Sequence, residues 1–211
     1  MAIIIEHDKR RKRILEKALD VFVEEGFENA TYQKIADRCQ ITRTTLYLYF
    51  RNKREIFNYS IKQLLGDVEK DILSVKGDRA QSSPDKIKKT ILVILNRLEE
   101  NKRLLSVILD YLISISRSPD TLQETEGGES LSDIRIRRRT IRLRHILATM
   151  VIEGIKAGQI KKIDVAAADN LLYGLIETAI FRLAILKRKS VPELTNAVEL
   201  AVNSLRACCT P

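Results

Sequence analysis

The stretch Thr31-Tyr-Gln-Lys-Ile-Ala-Asp-Arg-Cys-Gln-Ile-Thr-Arg-Thr-Thr-Leu-Tyr-Leu-Tyr-Phe50 decides the fold. Thr31 and Thr42 each stand just before a short run able to form a helix. A threonine there is an N-cap, because its side-chain oxygen accepts one of the orphan backbone N–H groups of the first turn. Only Cys39, Gln40 and Ile41 lie between the two runs, too few for anything but a tight turn. Two short helices joined by three or four residues form a helix-turn-helix. The first turn of its second helix, here Arg43, Thr44 and Thr45, is the part that reaches base edges in a major groove.

Charge agrees with that placement. Thr31 to Arg54 holds Lys34, Arg38, Arg43, Arg51, Lys53 and Arg54 against Asp37 alone, a net +5. Tyr47 and Tyr49 add hydroxyl groups beside those cations, a mixture suited to phosphate oxygens. The whole chain, with 37 Lys+Arg against 28 Asp+Glu, carries +9, which favours a polyanionic partner, nucleic acid first. A solvated basic face on a small bundle gives the same charge count, so charge supports the motif and does not replace it.

Working outward, the chain reads as helices almost throughout. Ile14, Leu15, Ala18, Leu19, Phe22 and Val23 fall on one helical face, and Gly26 sits where a left-handed terminator belongs. Phe57, Ile61, Leu64, Leu65, Val68 and Ile72 repeat the pattern, preceded by Asn52 and Glu55 at capping-box spacing. Ser83-Pro84-Asp85 opens a further helix with a cap, a first-turn proline and an acid that suits the dipole, and Ser190-Val191-Pro192-Glu193 opens the last. Helices are also expected near Lys102–Ser116, Leu131–Ala157 and Asp164–Lys187, with Gly158 stopping the second and Asp164 capping the third. Arg117 to Ser130 is a long polar connection. There is no β-hairpin signal and no internal repeat.

The expected fold is therefore all-α, of about nine helices. It comprises a small three-helix helix-turn-helix domain at 1–55 and a larger helical bundle at 56–211. Eight of the eleven Phe and Tyr residues lie in the first sixty positions, as a small unit needs large side chains to make a core. In the segment Asp164–Lys187, Leu171, Leu172, Leu175, Ile176, Ala179, Ile180 and Leu183 read as one face, with Tyr173, Phe181 and Ile185 on the other. A helix apolar nearly all round is buried on both sides, in a core or at a subunit interface.

Other classes find little support. Cys39, Cys208 and Cys209 make no CxxC pair and no disulfide framework, which points to a reduced, cytoplasmic protein. Ala2 to Ile5 is too short for a signal-peptide core, and Glu177 and Arg182 interrupt the most apolar stretch, so no membrane partner is expected. His7 and His145 are too few for a metal site. No Gly-rich phosphate loop, nucleophile elbow or catalytic pair of carboxylates or histidines appears, so neither a cofactor nor an enzyme activity is expected.

Two cationic clusters have two readings each. Lys9-Arg-Arg-Lys-Arg13 stands at the start of the first helix, where the dipole disfavours cations; it either faces DNA or is a frayed, solvated end. Arg135, Arg137, Arg138, Arg139, Arg142 and Arg144 form a solvated face, or a site for an anionic ligand or membrane surface.

The pattern Ile14-Leu15-x-x-Ala18-Leu19-x-x-Phe22-x-x-x-Gly26-Phe27-x-x-Ala30-Thr31-x-x-x-Ile35-Ala36, followed by Ile41-Thr42-x-x-Thr45-Leu46-Tyr47-x-Tyr49-Phe50-x-x-Lys53-x-x-Ile56-Phe57, resembles the TetR family of one-component bacterial transcriptional regulators. The likeness covers about forty-five residues, with a weaker one at Ile152-Glu153-Gly154-x-x-x-Gly158-x-Ile160. It implies base contacts from Arg43, Thr44 and Gln33. Phosphates would fall to Thr31, Thr42, Thr45, Tyr47, Tyr49 and Lys53, and packing to Ile35, Ala36, Leu46 and Phe50. Gln40 departs from the family, which often has Gly in the turn; a positive φ there would cost Gln about 1 kcal/mol.

The resemblance also implies a homodimeric repressor of double-stranded operator DNA, paired through residues about 164–208 and responsive to a small, mainly hydrophobic ligand. Tyr111, His145, Tyr173, Glu177 and Arg182 are the polar side chains within apolar stretches and hence the candidate ligand contacts. A regulator controlled by a protein partner and an all-helical enzyme are the alternatives.

Overall fold

The computed structural model describes residues 2–117, 131–186 and 191–207. Among them nine helices follow in order: α1 Ala2–Asn29, α2 Tyr32–Arg38, α3 Arg43–Tyr47, α4 Lys53–Gly77, α5 Ser83–Glu100, α6 Lys102–Arg117, α7 Leu131–Lys156, α8 Val165–Ala184 and α9 Val191–Leu205. The extended backbone among the described residues is a lone bridge between Ile160 and Arg206. No helix there is long and apolar enough to cross a membrane. The polar connection up to Ser130, the Ser190 cap, Cys208 and Cys209 lie outside the described residues.

The chain divides into two compact units, Met1–Gln63 with Arg103–Ser132, and Leu64–Lys102 with Asp133–Pro211. The division thus falls within α4, eight residues beyond the expected boundary at 55, and α6 joins the first unit. Side-chain packing explains the second difference. Phe22, Phe27 and Phe57 pack with ring centroids 4.9–5.8 Å apart, and Tyr111 of α6 closes the cluster at 4.7 Å from Phe27 and 5.3 Å from Phe57. Edge-on aromatic pairs add about 0.5–1.5 kcal/mol beyond their buried area. Around them Ile14, Leu15, Ala18, Val21, Ile35, Ala36, Leu46, Phe50, Ile56 and Ile61 are buried.

The local signals act as expected, with three shifts. Lys34 N donates to Thr31 Oγ1 at 3.2 Å and Thr45 N to Thr42 Oγ1 at 3.1 Å, so both threonines cap. Asn52 Oδ1 accepts from Glu55 N at 2.8 Å, but the Glu55 carboxylate takes the Arg51 N–H rather than that of the cap. Gly26 breaks the helical backbone where a stop was expected, but with φ 77° and ψ 160°, open essentially to glycine alone, rather than a left-handed helical conformation, and a further turn runs to Asn29. The cap of α5 is Ser82, one residue before the expected Ser83, its oxygen accepting from Asp85 N at 3.4 Å.

At the end of α2, Gln40 N donates to Asp37 O at 2.9 Å and Ile41 N to Ala36 O at 3.1 Å. These are the two bonds of a Schellman termination, which puts the intervening residue in left-handed backbone. That residue is Gln40, with φ 57°. Gly158 ends α7 in the same way, with φ 69° and bonds from Gly158 N to Ile155 O and from Gln159 N to Gly154 O.

In the second unit α5, α8 and α9 pack on one another. Ile87, Ile91 and Leu95, Leu147 and Met150 of α7, Leu172 and Ile176, and Val198 and Val202 are buried. Asp164 caps α8 through Ala166 N at 2.9 Å. The expectation that α8 is buried on both sides holds for one face of this single chain. Leu171, Phe181 and Ile185 are each about half exposed. Leu171, read with the buried face, lies on the open one, since successive helical residues point about 100° apart.

Gly154 marks a close approach. A Cβ there would lie 2.5 Å from Ile160 Cδ1 and 2.9 Å from Ser83 Cβ, whereas one at Gly77 meets nothing within 4 Å. Gly154→Ala is therefore expected to lower stability by about 1–3 kcal/mol through overpacking. Gly77→Ala should raise it by about 0.5–1 kcal/mol. Urea unfolding midpoints of the two variants against the parent check the pair.

Candidate nucleic-acid interface

The turn described above sets α3 on α2, and Leu46 and Phe50, both fully buried, fasten its inner side. The outer side presents the first turn. Arg43 is exposed, its Nη2 3.3 Å from Tyr47 Oη and its Cζ 6.0 Å from that ring's centroid. Thr44 beside it is exposed as well. Thr45 is half-buried, and its hydroxyl lies 2.9 Å from that of Thr42, so the two steady each other at the helix start. Gln33 is exposed on α2, with Nε2 donating to Asp37 Oδ1 at 2.7 Å.

The tyrosines have structural partners. Tyr47 packs against Tyr32 at 4.7 Å between centroids, and the Tyr32 hydroxyl donates to Phe50 O. Burial, then the neighbouring Tyr47, pushes the Tyr32 phenol up to about 12. Tyr49 stacks on His7 of α1 at 4.7 Å. Leu48, to which sequence pattern assigns no role, is 75% exposed just past α3; an apolar residue between two tyrosines is its only signal.

The basic charge is distributed less simply than its count implies. Lys34 pairs with Glu25 at 2.6 Å and Arg38 makes a two-pronged pair with Glu24, both carboxylates belonging to α1. Lys53 turns toward the protein, and its Nζ donates to Phe27 O at 2.9 Å and to Glu28 O at 2.8 Å, over the Phe27 ring. Burial lowers its pKa. It thus satisfies carbonyls left open at the C-terminal end of α1. Arg43, Arg51 and Arg54 keep exposed side chains with no carboxylate partner among the described residues.

The candidate ligand contacts are divided between the two units. Tyr111 belongs to the aromatic cluster of the first unit. In the second, His145 and Glu177 are exposed and Arg182 pairs with Glu193 at 2.8 Å. Tyr173 is half-buried beneath Arg144, whose Cζ lies 4.7 Å from its ring. Burial, then Glu177, raises the Tyr173 phenol pKa. Arg144 donates from Nε and Nη2 to Asp169 Oδ2 at 2.9 and 2.6 Å, and from Nη2 to Asn170 Oδ1 at 2.8 Å. Asp169 is buried, and its Oδ1 has no hydrogen-bond partner among the described residues. No local sequence signal pairs residues 144 and 169, which sit on different helices.

A capped recognition helix set on a tight turn, with Arg43 and Thr44 exposed on its first turn, defines a helix-turn-helix DNA-binding protein. Residues 14–59 match the family described as bacterial regulatory proteins, tetR family. The fatty acid metabolism regulator protein of Bacillus subtilis is 24% identical over 181 residues, 80% of each chain. The solved structure of the regulator FadR from Bacillus subtilis in complex with stearoyl-CoA is 25% identical, with TM-score 0.64 over 92% of this chain and 98% of that one. A TetR transcription regulator from Haloarcula marismortui shares the fold at TM-score 0.73 and 17% identity, over 94% of this chain and 99% of that one. Residues 14–59 thus match the DNA-binding segment of tetR-family bacterial regulatory proteins, and the fold of the rest of the chain is shared with solved TetR-type transcriptional regulators.

The half-buried Tyr32 phenol makes stability sensitive to alkali. Its folded pKa lies above the ordinary value of 10, so its contribution is complete below pH 10 and is lost as pH rises through about 12. Phenolate absorbance during alkaline titration should show the half-buried tyrosines ionising after the exposed ones, with a last step near pH 12 from Tyr32. Tyr32→Phe should remove that late step and cost about 1 kcal/mol by leaving Phe50 O without its donor.

Proposed function

We propose that the protein represses transcription as a cytoplasmic homodimer on a two-fold-symmetric operator and is released by a small, mainly hydrophobic ligand, a long-chain acyl thioester being the first candidate. The observation that carries the DNA half of this reading is the first turn of α3, where Arg43 and Thr44 are exposed while the rest of the motif is fastened from behind. Arg43 supplies a base contact of the bidentate kind that arginine makes with guanine. The exposed Leu48 suits the apolar face of a thymine methyl group.

Support for the dimer comes from α8. Leu171, Phe181 and Ile185 leave an open apolar stripe, and Gly174 within it has open space where a Cβ would be, room for close approach of another helix. A two-fold pair places the recognition helices about 34 Å apart to read successive major grooves. Support for the ligand comes from the relative named for fatty acid metabolism and the one bound to stearoyl-CoA. A ligand that favours another spacing of the two recognition helices releases DNA, and DNA lowers ligand affinity by the same factor.

Arg43→Ala is expected to cost about 1–3 kcal/mol and to blur preference at one base pair per half-site, read by binding to operators randomised at single positions. Phe181→Glu, exposed in the single chain, should fold normally yet sediment as a monomer and lose operator binding. A Phe181→Glu variant that remains dimeric places the interface elsewhere. Stearoyl-CoA titrated into the protein–operator complex should release the DNA; no release at saturating ligand excludes that inducer class while leaving DNA binding intact.

A further inference from the structure

In the first unit the cations of α2 are paired with carboxylates of α1. The unpaired cations lie further toward the start of α1. Lys9, Arg10, Lys12 and Arg13 are all exposed, and no ion pair holds any of them among the described residues, although Glu6, Asp8 and Glu16 stand on the same helix. The helix begins at Ala2, so these residues lie about two turns in rather than at its first turn as the sequence implied. The dipole penalty, which fades within one turn, does not oppose them there.

Two interactions bring these turns to the recognition helix. His7 stacks on Tyr49, two residues past α3. One turn later Arg11 lays its guanidinium over Tyr59 at 4.0 Å and Phe50 at 4.9 Å, with Nε buried and without an acceptor. His7, Arg11, Ile14, Leu15 and Ala18 share one side of α1, so the side that faces the core continues onto the aromatic residues behind α3. Lys9, Arg10, Lys12 and Arg13 occupy the remaining, solvent-facing arc of the same turns, and they are the unpaired cations.

We infer that Lys9, Arg10, Lys12 and Arg13 of α1 form a second DNA-binding surface that grips backbone phosphates beside the recognition helix, with His7 and Arg11 as the positioning residues that hold it there. This rests on the DNA-binding reading. Phosphate contacts fix register and add affinity without reading sequence, so this surface strengthens binding to all duplex DNA alike.

The test compares the salt dependence of duplex binding for three full-length proteins: the parent, a variant with Lys9, Arg10, Lys12 and Arg13 all replaced by Gln, and a control with Lys70, Lys156, Lys161 and Lys162 replaced by Gln, the same charge removed from exposed sites in the second unit. The α1 variant should keep its melting temperature and its ratio of specific to random-sequence affinity. Its slope of log K against log salt should become shallower by about 0.9 for every phosphate that the four cations neutralise in the parent, doubled in a dimer. The control should keep the parent slope. His7→Ala should weaken binding and His7→Phe, which retains a stacking ring, should restore it. A parent that binds duplex with a steep slope and an α1 variant with that same slope overturn this inference alone. Equal flattening in α1 variant and control also overturns it, since net charge then explains the effect. A parent without salt-dependent binding to any duplex overturns the DNA-binding reading and this inference with it.

Discussion

Everything the first unit presents depends on two backbone hydrogen bonds, from Gln40 N to Asp37 O and from Ile41 N to Ala36 O. They close the last turn of α2 and reverse the chain within three residues, which sets where α3 points. The closure requires left-handed backbone at residue 40, where glutamine stands with φ 57°. A side chain there costs about 1 kcal/mol, offset by the buried packing of Ile35, Ala36, Leu46 and Phe50 on either side of the turn. The expected strain is thus present and tolerated, because packing over-determines the geometry that the residue itself disfavours.

The second theme is how charge is divided between structure and surface. Lys34, Arg38 and Lys53 face one another's neighbourhood through α1, and each meets a carboxylate or a carbonyl of that helix. These ties are exposed or half-buried, and isolated exposed pairs contribute little to stability. Their consequence is directional: they pair or turn inward the cations on one side and leave Arg43, Arg51, Arg54 and the start of α1 as the unpaired positive surface. A count over the sequence cannot distinguish the two sets.

Much of the fold was legible in the sequence. The caps at Thr31, Thr42 and Asp164, the stop at Gly158 and the apolar periodicity of α1, α4 and α5 are local devices, each complete within a few residues. The misplacements were equally local. Ser82 rather than Ser83 caps α5 because both precede Pro84, and the side chain of the earlier one reaches Asp85 N. Gly26 does interrupt α1, but through an extended ψ of 160° rather than the left-handed helical one of a usual terminator. Of the site, the sequence marked the recognition turn, while the ligand candidates scattered: polarity inside an apolar stretch does not reveal whether a group faces a cavity, a neighbouring helix or solvent.

The sequence by itself determined an all-helical chain with a helix-turn-helix near its start, because capping, termination and helical periodicity are set by residues within one or two turns of each other. Tertiary structure alone decided that α6 joins the first unit through Tyr111, that Lys53 meets the carbonyls at the end of α1, and that Arg144 meets Asp169. Those partners lie 84, 26 and 25 residues apart in the chain. A charged or aromatic side chain has many chemically suitable partners at such separations, and only the packing of the helices brings one of them within reach.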